Sequence, residues 1–487
     1  MRRSSALFIE THDGRADMTN FEMDLFDTRM SYFKTDRDEE QCCSSSKNKI
    51  IKPACVPITV ISLFIITLVF LPLFNEDDLS SPEKLTDKCS GKCGLAPIES
   101  IPTNVTLTPH FQPTHEYWLD LIGNASRHIE IAALYWNLNE NTTYATSNAG
   151  KKVFQALIDA AHRGVQIRII QDGSAGLSKN ADTKYLADHN LAEVRNLNFT
   201  RLFGSGVLHT KFIIADMTNV YVGSANMDWK SLTEVKELGL AFRSCSCVAA
   251  DLYKIFAVYW RMGEPDSKIP PAWPISFRTQ YNSRKPMKID SDVMTEVFLS
   301  SSPEPFNPKG REFDLTAILD LIHSAKKSVS VSVMDMIPQT LYMKNNIYWP
   351  KIDDALRDAA FRGVKVRLLI SKWDHSRKQM FVFLKSLQDI NTALPQGKNG
   401  TGSITVKIFQ VPASEEQKKL PFARVNHNKY LITDEAVYIG TSNWSGDYFM
   451  TTAGVGVILR SGISGIWKDV NSIFERDWSS PYASDLN

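Results

Sequence analysis

Two short segments decide the fold: LHTKFIIAD at residues 208–216 and NHNKYLITD at residues 426–434. Both contain the pattern His-x-Lys-x4-Asp, followed or overlapped by apolar and β-branched residues that favour a strand. Alternation along an extended strand places the histidine and the lysine, two residues apart, on one face. The residues of the pattern are His209, Lys211 and Asp216 in the first segment and His427, Lys429 and Asp434 in the second.

The sequence around these segments is also duplicated, with every block in the same order. Such self-similarity predicts two structural repeats. The matching blocks are LDLIGNASRHIEIAALYW (119–136) with LDLIHSAKKSVSVSVMDM (319–336), ALIDAAHRGVQIRII (156–170) with ALRDAAFRGVKVRLLI (355–370), GSANMDW (223–229) with GTSNWSG (440–446), and IFAVYW (255–260) with IFERDW (473–478).

Each repeat has the pattern of a strand, a helix and a second strand. The helix ends at Gly164 or Gly363, where a helix C-terminus favours glycine, and a strand follows at once. This βαβ pattern predicts an α/β fold of two repeats, each a mixed, partly parallel sheet flanked by helices, packed as a pseudo-twofold dimer within one chain. The predicted helix and second strand cover residues 153–163 and 165–171, and residues 352–362 and 364–371.

An N-terminal segment predicts membrane attachment. Residues 54–74 carry no charged side chain, which is long enough to cross a bilayer, and lysines precede them whereas acidic residues follow. We therefore expect a type II signal anchor, with the N-terminus in the cytosol and the remainder in the lumen. The expected division is a cytosolic tail (1–52), the anchor (53–74), a stalk (75–115), a first domain (116–262), a connector (263–294) and a second domain (295–487).

The cysteines and sequons fit a lumenal location. Four cysteines follow the anchor, which suggests two disulfides with three possible connectivities, although Cys245 and Cys247 are too close in sequence to pair with each other. Asn443 belongs to a sequon but is expected inside the active site. The other two cysteines after the anchor are Cys89 and Cys93. The sequons predicted to be glycosylated are Asn104, Asn124, Asn141, Asn198 and Asn399.

Charge does not indicate the ligand. The formal net charge is +1 for 487 residues, so a polyanion partner is not indicated, although a local basic cleft is not excluded. Small and polar residues after each motif, with neutral donors, are typical of a phosphate site. These residues are Ser224 and Asn226 in the first repeat and Asn443 in the second, and they join Lys211 and Lys429 as expected phosphate ligands.

A single histidine on a strand is more often a structural group than a catalyst. Two copies of the whole constellation, at equivalent positions of a duplicated chain, reverse that expectation and predict one active site built from both repeats. Asp216 and Asp434 are ambiguous: we treat them as structural supports first, because acids that end strands usually cap turns, and as catalytic candidates second.

The duplicated pattern resembles the phospholipase D superfamily, over nearly the whole predicted lumenal region. GVLHTKF, GSANMDW, VKELG, RVNHNKY and YIGTSNWSG are similar to the membrane-anchored endosomal and lysosomal branch that includes members three and four of the mammalian phospholipase D series. The resemblance implies a 5′ exonuclease on single-stranded DNA and RNA. It also leaves open a phospholipase D that hydrolyses or transfers phosphatidyl groups, such as those of phosphatidylcholine.

The resemblance also implies a mechanism with a phosphohistidine intermediate and without a metal or other cofactor. His209 is expected to be the nucleophile and His427 the acid/base, although the symmetry allows the opposite order. Glu237 in VKELG resembles the family's orienting carboxylate. The second repeat has no acid in register, so the second histidine is expected to rely on Thr451, Thr452 or a main-chain carbonyl.

Three functions are weighed. The first is hydrolysis of nucleic acid strands in the endolysosomal lumen, and the second is the phospholipid reaction at the same centre. The third, an inactive scaffold, is disfavoured because both copies keep the histidine and the lysine. The expected partners are single-stranded nucleic acid or phospholipid, the membrane through the anchor, and a second copy of the chain in a homodimer.

Overall fold

The computed structural model describes residues 60–64, 92–174, 180–397 and 400–486. Residues 60–64 are helical and belong to a first unit, residues 1–64, whereas the rest of the described chain belongs to a second unit. No helix within these described ranges combines the length and the apolar character needed to span a bilayer. Apart from residues 60–64 the predicted anchor lies outside them, as do Cys89 and Asn399, so these remain predictions.

The first repeat is built on a mixed sheet that has eight strands in the described residues. The strand His128–Ala133 runs parallel to Gln166–Asp172, and the helix between them makes the crossover that the sequence predicts. The strand Phe212–Ala215, which follows His209, pairs antiparallel on the other side. In order across the sheet the strands are Gln112–Pro113, Gly94–Ser100, Glu237–Arg243, Asn219–Gly223, Phe212–Ala215, His128–Ala133, Gln166–Asp172 and Glu193–Leu197.

The second repeat has the same central topology. Ser328–Val333 pairs parallel with Lys365–Ser371 and antiparallel with Lys429–Thr433. This agreement confirms the predicted fold of two mixed sheets flanked by helices. In order across the described part of this sheet the strands are Met287–Asp290, Met294–Ser302, Gly454–Arg460, Val437–Gly440, Lys429–Thr433, Ser328–Val333, Lys365–Ser371, Ser403–Phe409 and Ala483–Asp485, with Glu312–Phe313 beside Met294–Ser302. Short pairs are Trp136–Asn137 with Met227–Asp228 and Gln396–Gly397 with Gly400–Thr401.

Helices cover the outer face of each sheet, whereas Ser246–Met262 and Ile466–Trp478 pack into the core that the two repeats share. The crossover helices Asn148–His162 and Lys351–Phe361 end just before Gly164 and Gly363, whose φ angles of 91° and 93° are left-handed, as the sequence predicts. The other α-helices are Thr114–Gly123, Ala181–Asp188, Phe199–Phe203, Trp229–Thr233, Ser246–Met262, Asp314–Ser324, Lys378–Asp389, Asp447–Met450 and Ile466–Trp478, and 3₁₀ turns occupy Ala145–Ser147, Ile275–Phe277, Glu304–Phe306, Ile390–Ala393 and Gln417–Lys419.

Three large apolar cores and one small cluster around Trp229 lie in the described part of the second unit. One core lies between each sheet and its outer helices, and the third is shared by the repeats. The shared core joins residues such as Val222 and Leu240 from the first sheet to Ile439 and Val457 from the second. The two sheets therefore face each other across one core, in the pseudo-dimeric packing that the duplication predicts. A homodimer of the whole chain remains a prediction.

Two predicted boundaries are wrong. Residues 75–115 do not end in a free stalk, because Gly94–Ser100 pairs antiparallel along Glu237–Arg243 inside the first sheet. The connector 263–294 likewise contributes the edge strand Met287–Asp290 to the second sheet. Gly94–Ser100 lies far in sequence from the strand with which it pairs. Met287–Asp290 is only four residues long, and its sequence shows too little alternation to predict a strand. Only the tertiary pairing reveals these two strands.

Buried ion pairs join the repeats. The Arg311 guanidinium of the second repeat donates two hydrogen bonds, of 2.6 Å and 3.0 Å, to the Asp251 carboxylate of the first repeat. Both side chains are almost fully buried. Unpaired, such charges would be costly in this environment, so the pairs fix how the repeats dock. The other buried pairs between repeats are Lys236 with Asp477, Glu234 with Arg424 and Glu99 with Arg476.

A disulfide between Cys93 and Cys245 ties the start of the first sheet to the helix that begins at Ser246. It matches the expected link between the segment after the anchor and the first repeat. Cys247 is also disulfide-bonded. Among the sequons, Asn104, Asn124 and Asn141 are exposed and Asn198 is partly exposed, whereas Asn443 is buried, so a glycan does not fit there.

Candidate active site

Each motif histidine is held by the main chain of the other repeat. The His209 amide donates to the carbonyl oxygen of Ala453 over 3.0 Å, and the His427 amide donates to that of Lys236 over 2.8 Å. These equivalent contacts bring the N-terminal end of both motif strands to the seam between the repeats. The two imidazoles consequently reach one cavity instead of two.

That cavity, hereafter the central pocket, has a volume of about 400 Å³. Both motif histidines line it, together with side chains from both repeats. It combines polar groups suited to an anion with an apolar rim. The lining residues are Leu134, Tyr135, His209, Asn226, Lys230, Ser231, Val235, Glu237, Met334, Trp373, Phe422, Val425 and His427.

His209 is oriented by a neutral acceptor. Its Nδ1 lies 2.8 Å from the main-chain oxygen of Thr441, which belongs to the other repeat. A carbonyl oxygen can only accept, so Nδ1 carries the hydrogen and Nε2 keeps its lone pair. The Tyr448 ring packs edge-on against the imidazole, with 5.0 Å between the ring centroids, and further restricts its orientation.

His427 is oriented by a carboxylate. Its Nδ1 lies 2.8 Å and 3.0 Å from the two carboxyl oxygens of Glu237. The sequence suggested that Glu237 orients His209, and this expectation is wrong. The expectation that Thr451 or Thr452 orients His427 is wrong as well. A main-chain carbonyl is used, but it serves His209. The exchange follows from the pseudo-twofold packing, which places each histidine beside the other repeat's strand.

The carboxylate has no counterpart in the second repeat. Glu237 and Gly454 occupy equivalent strand starts, paired with Ser100 and Ser302 respectively. A Cβ atom at Gly454 would collide with Ser442 Oγ and lie 2.9 Å from Ser302 Oγ. The absence of a side chain here is therefore part of the packing.

The motif lysines lie behind the histidines and are buried. Lys211 donates to the carbonyl oxygen of His209, and Lys429 donates to that of His427, each over 2.6 Å. Neither amine is part of the pocket lining, but both perturb the pKa of each imidazole. An ammonium group has three donors, so each lysine retains capacity for a bound oxygen.

Burial and like charge disfavour protonated groups in the site. Burial, followed by the two lysines, holds the pKa of His209 and of His427 well below the ordinary value. Burial also lowers the pKa of Lys429 to about 7, against the attraction of Glu237, and raises the pKa of Glu237 to about 7 against the attraction of Lys429. Four basic groups, with Glu237 beside His427 and Asp335 near Lys429, form a site that an anion would stabilise.

The two asparagines occupy equivalent positions in the duplicated sequence, and both are buried. Asn226 lines the pocket, and Asn443 donates from Nδ2 to the Tyr448 hydroxyl over 3.1 Å. Within the part of the chain that is described, Oδ1 of both side chains is buried without a hydrogen-bond partner. Ser224 is not a phosphate ligand as predicted, because its Oγ bonds the main-chain nitrogen and oxygen of Leu238 and is fully buried.

The motif aspartates are structural and not catalytic. Asp216 lies beyond the far end of the strand Phe212–Ala215 and accepts main-chain hydrogens from residues 126, 127 and 128 over 2.8–2.9 Å. Asp434 does the same for residues 326–328 over 2.9–3.0 Å. Burial alone would raise the pKa of each carboxyl group, but the main-chain donors outweigh burial and lower it. The catalytic reading of both residues is corrected, and their first, structural reading stands.

Sequence reasoning missed several lining residues. Tyr135 lies two residues after the strand His128–Ala133, and its hydroxyl donates to Asp228 over 2.8 Å while Lys230 lies 3.5 Å from the same carboxyl oxygen. Polar residues directly after a strand beside the motif are a signal that could have found them. Within the described ranges, no cluster of three or more histidine, cysteine, aspartate or glutamate side chains could hold a metal ion.

Comparisons with known proteins agree with this arrangement. Residues 106–414 match the family described as PLD3/4, PLD-like domain. A Caenorhabditis elegans protein named as a probable phospholipase D is 53% identical, over 98% of this chain and 89% of its own length. The 5′-3′ exonuclease PLD3 of Xenopus tropicalis is 40% identical, over 92% of this chain and 94% of its own.

A solved structure shares the fold. The phosphatidylserine synthase of Haemophilus influenzae superposes with a TM-score of 0.51 at 11% identity, over 76% of this chain and 85% of that one. At this identity the likeness concerns the fold alone. Together with the family match and the two relatives, the duplicated motif and its shared pocket place this chain in the phospholipase D superfamily, in its PLD3/4-like branch.

Proposed function

We propose that this chain hydrolyses phosphodiester bonds through a phosphohistidine intermediate, as a 5′ exonuclease on single-stranded DNA and RNA. One observation carries the proposal: His209 and His427, from different repeats, line the same pocket with two lysines behind them. One histidine alone could attack phosphorus, but a second is needed to protonate the leaving oxygen.

The partners of the two rings favour one division of roles. With Nδ1–H donating to a carbonyl, neutral His209 keeps the Nε2 lone pair for attack, and its lowered pKa keeps it unprotonated. His427 faces a carboxylate, which stabilises an imidazolium once a bound anion adds its charge. His209 is accordingly the nucleophile and His427 the acid/base, with Glu237 as a positioning residue.

The reaction then has two balanced steps. In the first, His209 Nε2 forms a bond to phosphorus as the bond to the leaving oxygen breaks, and His427 gives that oxygen a proton. In the second, water oxygen bonds to phosphorus, the nitrogen–phosphorus bond breaks, and His427 takes the proton from the water. The buried lysines and asparagine amides oppose the negative charge on the nonbridging oxygens.

The choice of a nucleic acid strand rests on the relatives named as 5′-3′ exonucleases, which this chain matches over nearly its whole length. A phospholipid remains the second candidate. It is favoured by the apolar part of the pocket lining, Leu134, Val235, Met334 and Val425, and by the relative named as a probable phospholipase D. Both reactions would use the same catalytic groups.

We also propose that residues 53–74 anchor the chain and that its catalytic region lies in the endolysosomal lumen. The charge asymmetry around that segment and the Cys93–Cys245 disulfide, which suits an oxidising compartment, support this placement. Exposed sequons at Asn124 and Asn141 would then carry glycans. Protease protection of the full chain in microsomes, with endoglycosidase digestion, tests it. Digestion of the 92–486 region in intact vesicles would contradict it.

The catalytic proposal is tested with the full chain on oligonucleotides bearing a free or phosphorylated 5′ end, beside phosphatidylcholine vesicles, at acid and neutral pH. Stepwise release of nucleotides from the 5′ end is expected. Faster release of choline than of nucleotides would promote the phospholipid reaction. His209→Ala and His427→Ala should each retain less than about one hundredth of the parent rate. A higher residual rate would contradict the assigned roles.

A further inference from the structure

An exposed aromatic cluster lies at the mouth of the central pocket. Trp373 and Phe422 both line the pocket, and the His375 ring packs against both of them. The His375 and Phe422 rings are stacked, with 4.8 Å between centroids and 19° between planes. The Trp373 ring meets His375 edge-on at 4.7 Å. We call these three residues the aromatic platform.

Phe422 is held outward by a constrained loop. Its side chain is 62% exposed, and both Phe422 and Arg424 have left-handed φ angles, 56° and 54°. Such angles are unfavourable for residues with a Cβ and persist only when the surroundings impose them. A large apolar side chain kept in water by a strained backbone has no evident role in stability.

The anchors of this loop come from the other repeat. Arg424 forms a buried ion pair with Glu234 at 3.0 Å, and its main-chain nitrogen donates to the Glu234 carbonyl oxygen over 3.0 Å. Leu420 and Ala423 pack on Trp229. Residues on both sides of Phe422 are therefore fixed, so the phenyl ring is presented at a defined place beside the catalytic pocket.

The platform also separates two cavities. Trp373 forms a wall of the central pocket and of a second pocket of about 600 Å³. Lys372 and the polar side chains of Gln410 and Gln417 contribute to that second pocket. A ligand longer than one nucleotide, with its scissile phosphate between the histidines, would cross the aromatic rings as it leaves.

We infer that the aromatic platform is a stacking subsite for the nucleobase adjoining the scissile phosphate; this rests on the proposed function. A flat base matches the open face of an exposed ring, whereas a flexible acyl chain needs a long groove that excludes water. Stacking does not read the base edge, because every base has a π face. The subsite would favour strands with bases over strands without them, with little sequence preference.

The test compares an oligonucleotide with a matched strand that lacks the bases at its first two 5′ positions. For the parent chain we expect a KM for the complete strand about 10-fold below that for the abasic strand, since stacking on one aromatic ring has an effect of this order. Phe422→Ala should raise the KM of the complete strand toward the abasic value, and it should raise the KM of the abasic strand far less. Phe422→Tyr should restore the difference.

The matched control is Phe361→Ala, because Phe361 is also an exposed phenylalanine, at 49%, and lies at the end of a crossover helix outside the pocket lining. It should behave as the parent does. Binding of labelled strands to a His427→Asn background gives a readout independent of turnover, and Phe422→Ala should weaken it for the complete strand alone.

The outcomes are distinguishable. A parent chain that degrades neither strand would remove the proposed function, and the subsite with it. If the parent degrades both strands but Phe422→Ala keeps the parent's preference, the inference alone is overturned. Loss of choline release from phosphatidylcholine vesicles with unchanged strand cleavage would assign the platform to lipid and overturn the nucleobase subsite.

Discussion

His427 and Glu237 belong to different repeats, yet their ring nitrogen and carboxyl oxygen lie 2.8 Å apart in the central pocket. Replacing this acid by its neutral amide should lower kcat about 10²-fold with little change in KM, because an amide does not stabilise the imidazolium needed for proton transfer. Steady-state kinetics on an oligonucleotide check this. Glu435→Gln, an exposed acid elsewhere, is the control. An equal loss in both variants would argue against a positioning role for Glu237.

The same variant should change how stability depends on pH. Burial raises the pKa of Glu237 from 4.5 to about 7, so between these values the folded chain binds a proton that the unfolded chain releases. Its contribution to stability is full below pH 4.5 and is lost as the pH rises through 7. Glu237→Gln should therefore remove this contribution, so that the thermal midpoint falls less, or rises more, with pH across this window; His209 and His427, whose pKa burial lowers, contribute in the opposite direction. Asp314, whose pKa burial raises to about 6, keeps some slope. A slope as steep as the parent's would contradict the shift.

A covalent intermediate should accumulate in one histidine variant only. His427→Asn keeps the nucleophile, so with a p-nitrophenyl phosphodiester, whose leaving group needs no protonation, the chain should become phosphorylated and hydrolyse slowly. His209→Asn should not be labelled. Intact mass and peptide mapping to His209 provide the measurement. Label on His427 in the His209→Asn chain would exchange the two roles.

A methyl group at Gly454 should destabilise the fold. Gly454→Ala forces Ser442 to move and places the new Cβ 2.9 Å from Ser302 Oγ, which is overpacking of the kind that costs about 1–3 kcal/mol. Chemical denaturation measures the loss. Combining it with Ser442→Ala removes the nearest atom, so a coupling of about 0.5 kcal/mol or more is expected. Simple additivity would show that the hydroxyl is not the obstacle.

Removal of one partner of a buried pair between the repeats should be far more damaging than removal of an exposed one. Asp251→Ala leaves the Arg311 guanidinium buried without its carboxylate and should cost about 3–5 kcal/mol. Lys326→Ala breaks an exposed pair with Glu435 and should cost less than about 1 kcal/mol. Similar losses in the two variants would mean that the Arg311–Asp251 contact does not carry the docking energy.

The duplicated pattern was sufficient to predict the fold and the convergence of the two histidines, because hydrophobic periodicity and glycine position are local properties. The partner of each ring was not predictable, since Thr441 and Glu237 reach the imidazoles only through packing between repeats. The prediction that Ser224 binds phosphate failed for a related reason, because a hydroxyl beside a motif can bond the main chain as readily as a ligand. The strand Gly94–Ser100 depends on a partner more than 130 residues away.

Only the first repeat supplies an orienting carboxylate, Glu237, whereas the second repeat has Gly454 at the equivalent position. This asymmetry limits how the chain can be rebuilt from its halves. A protein assembled from two copies of the N-terminal half would set an acid against both rings and leave no neutral attacker. Two copies of the C-terminal half would provide no carboxylate against either ring. Although the two halves share one motif and one central topology, neither half can replace the other.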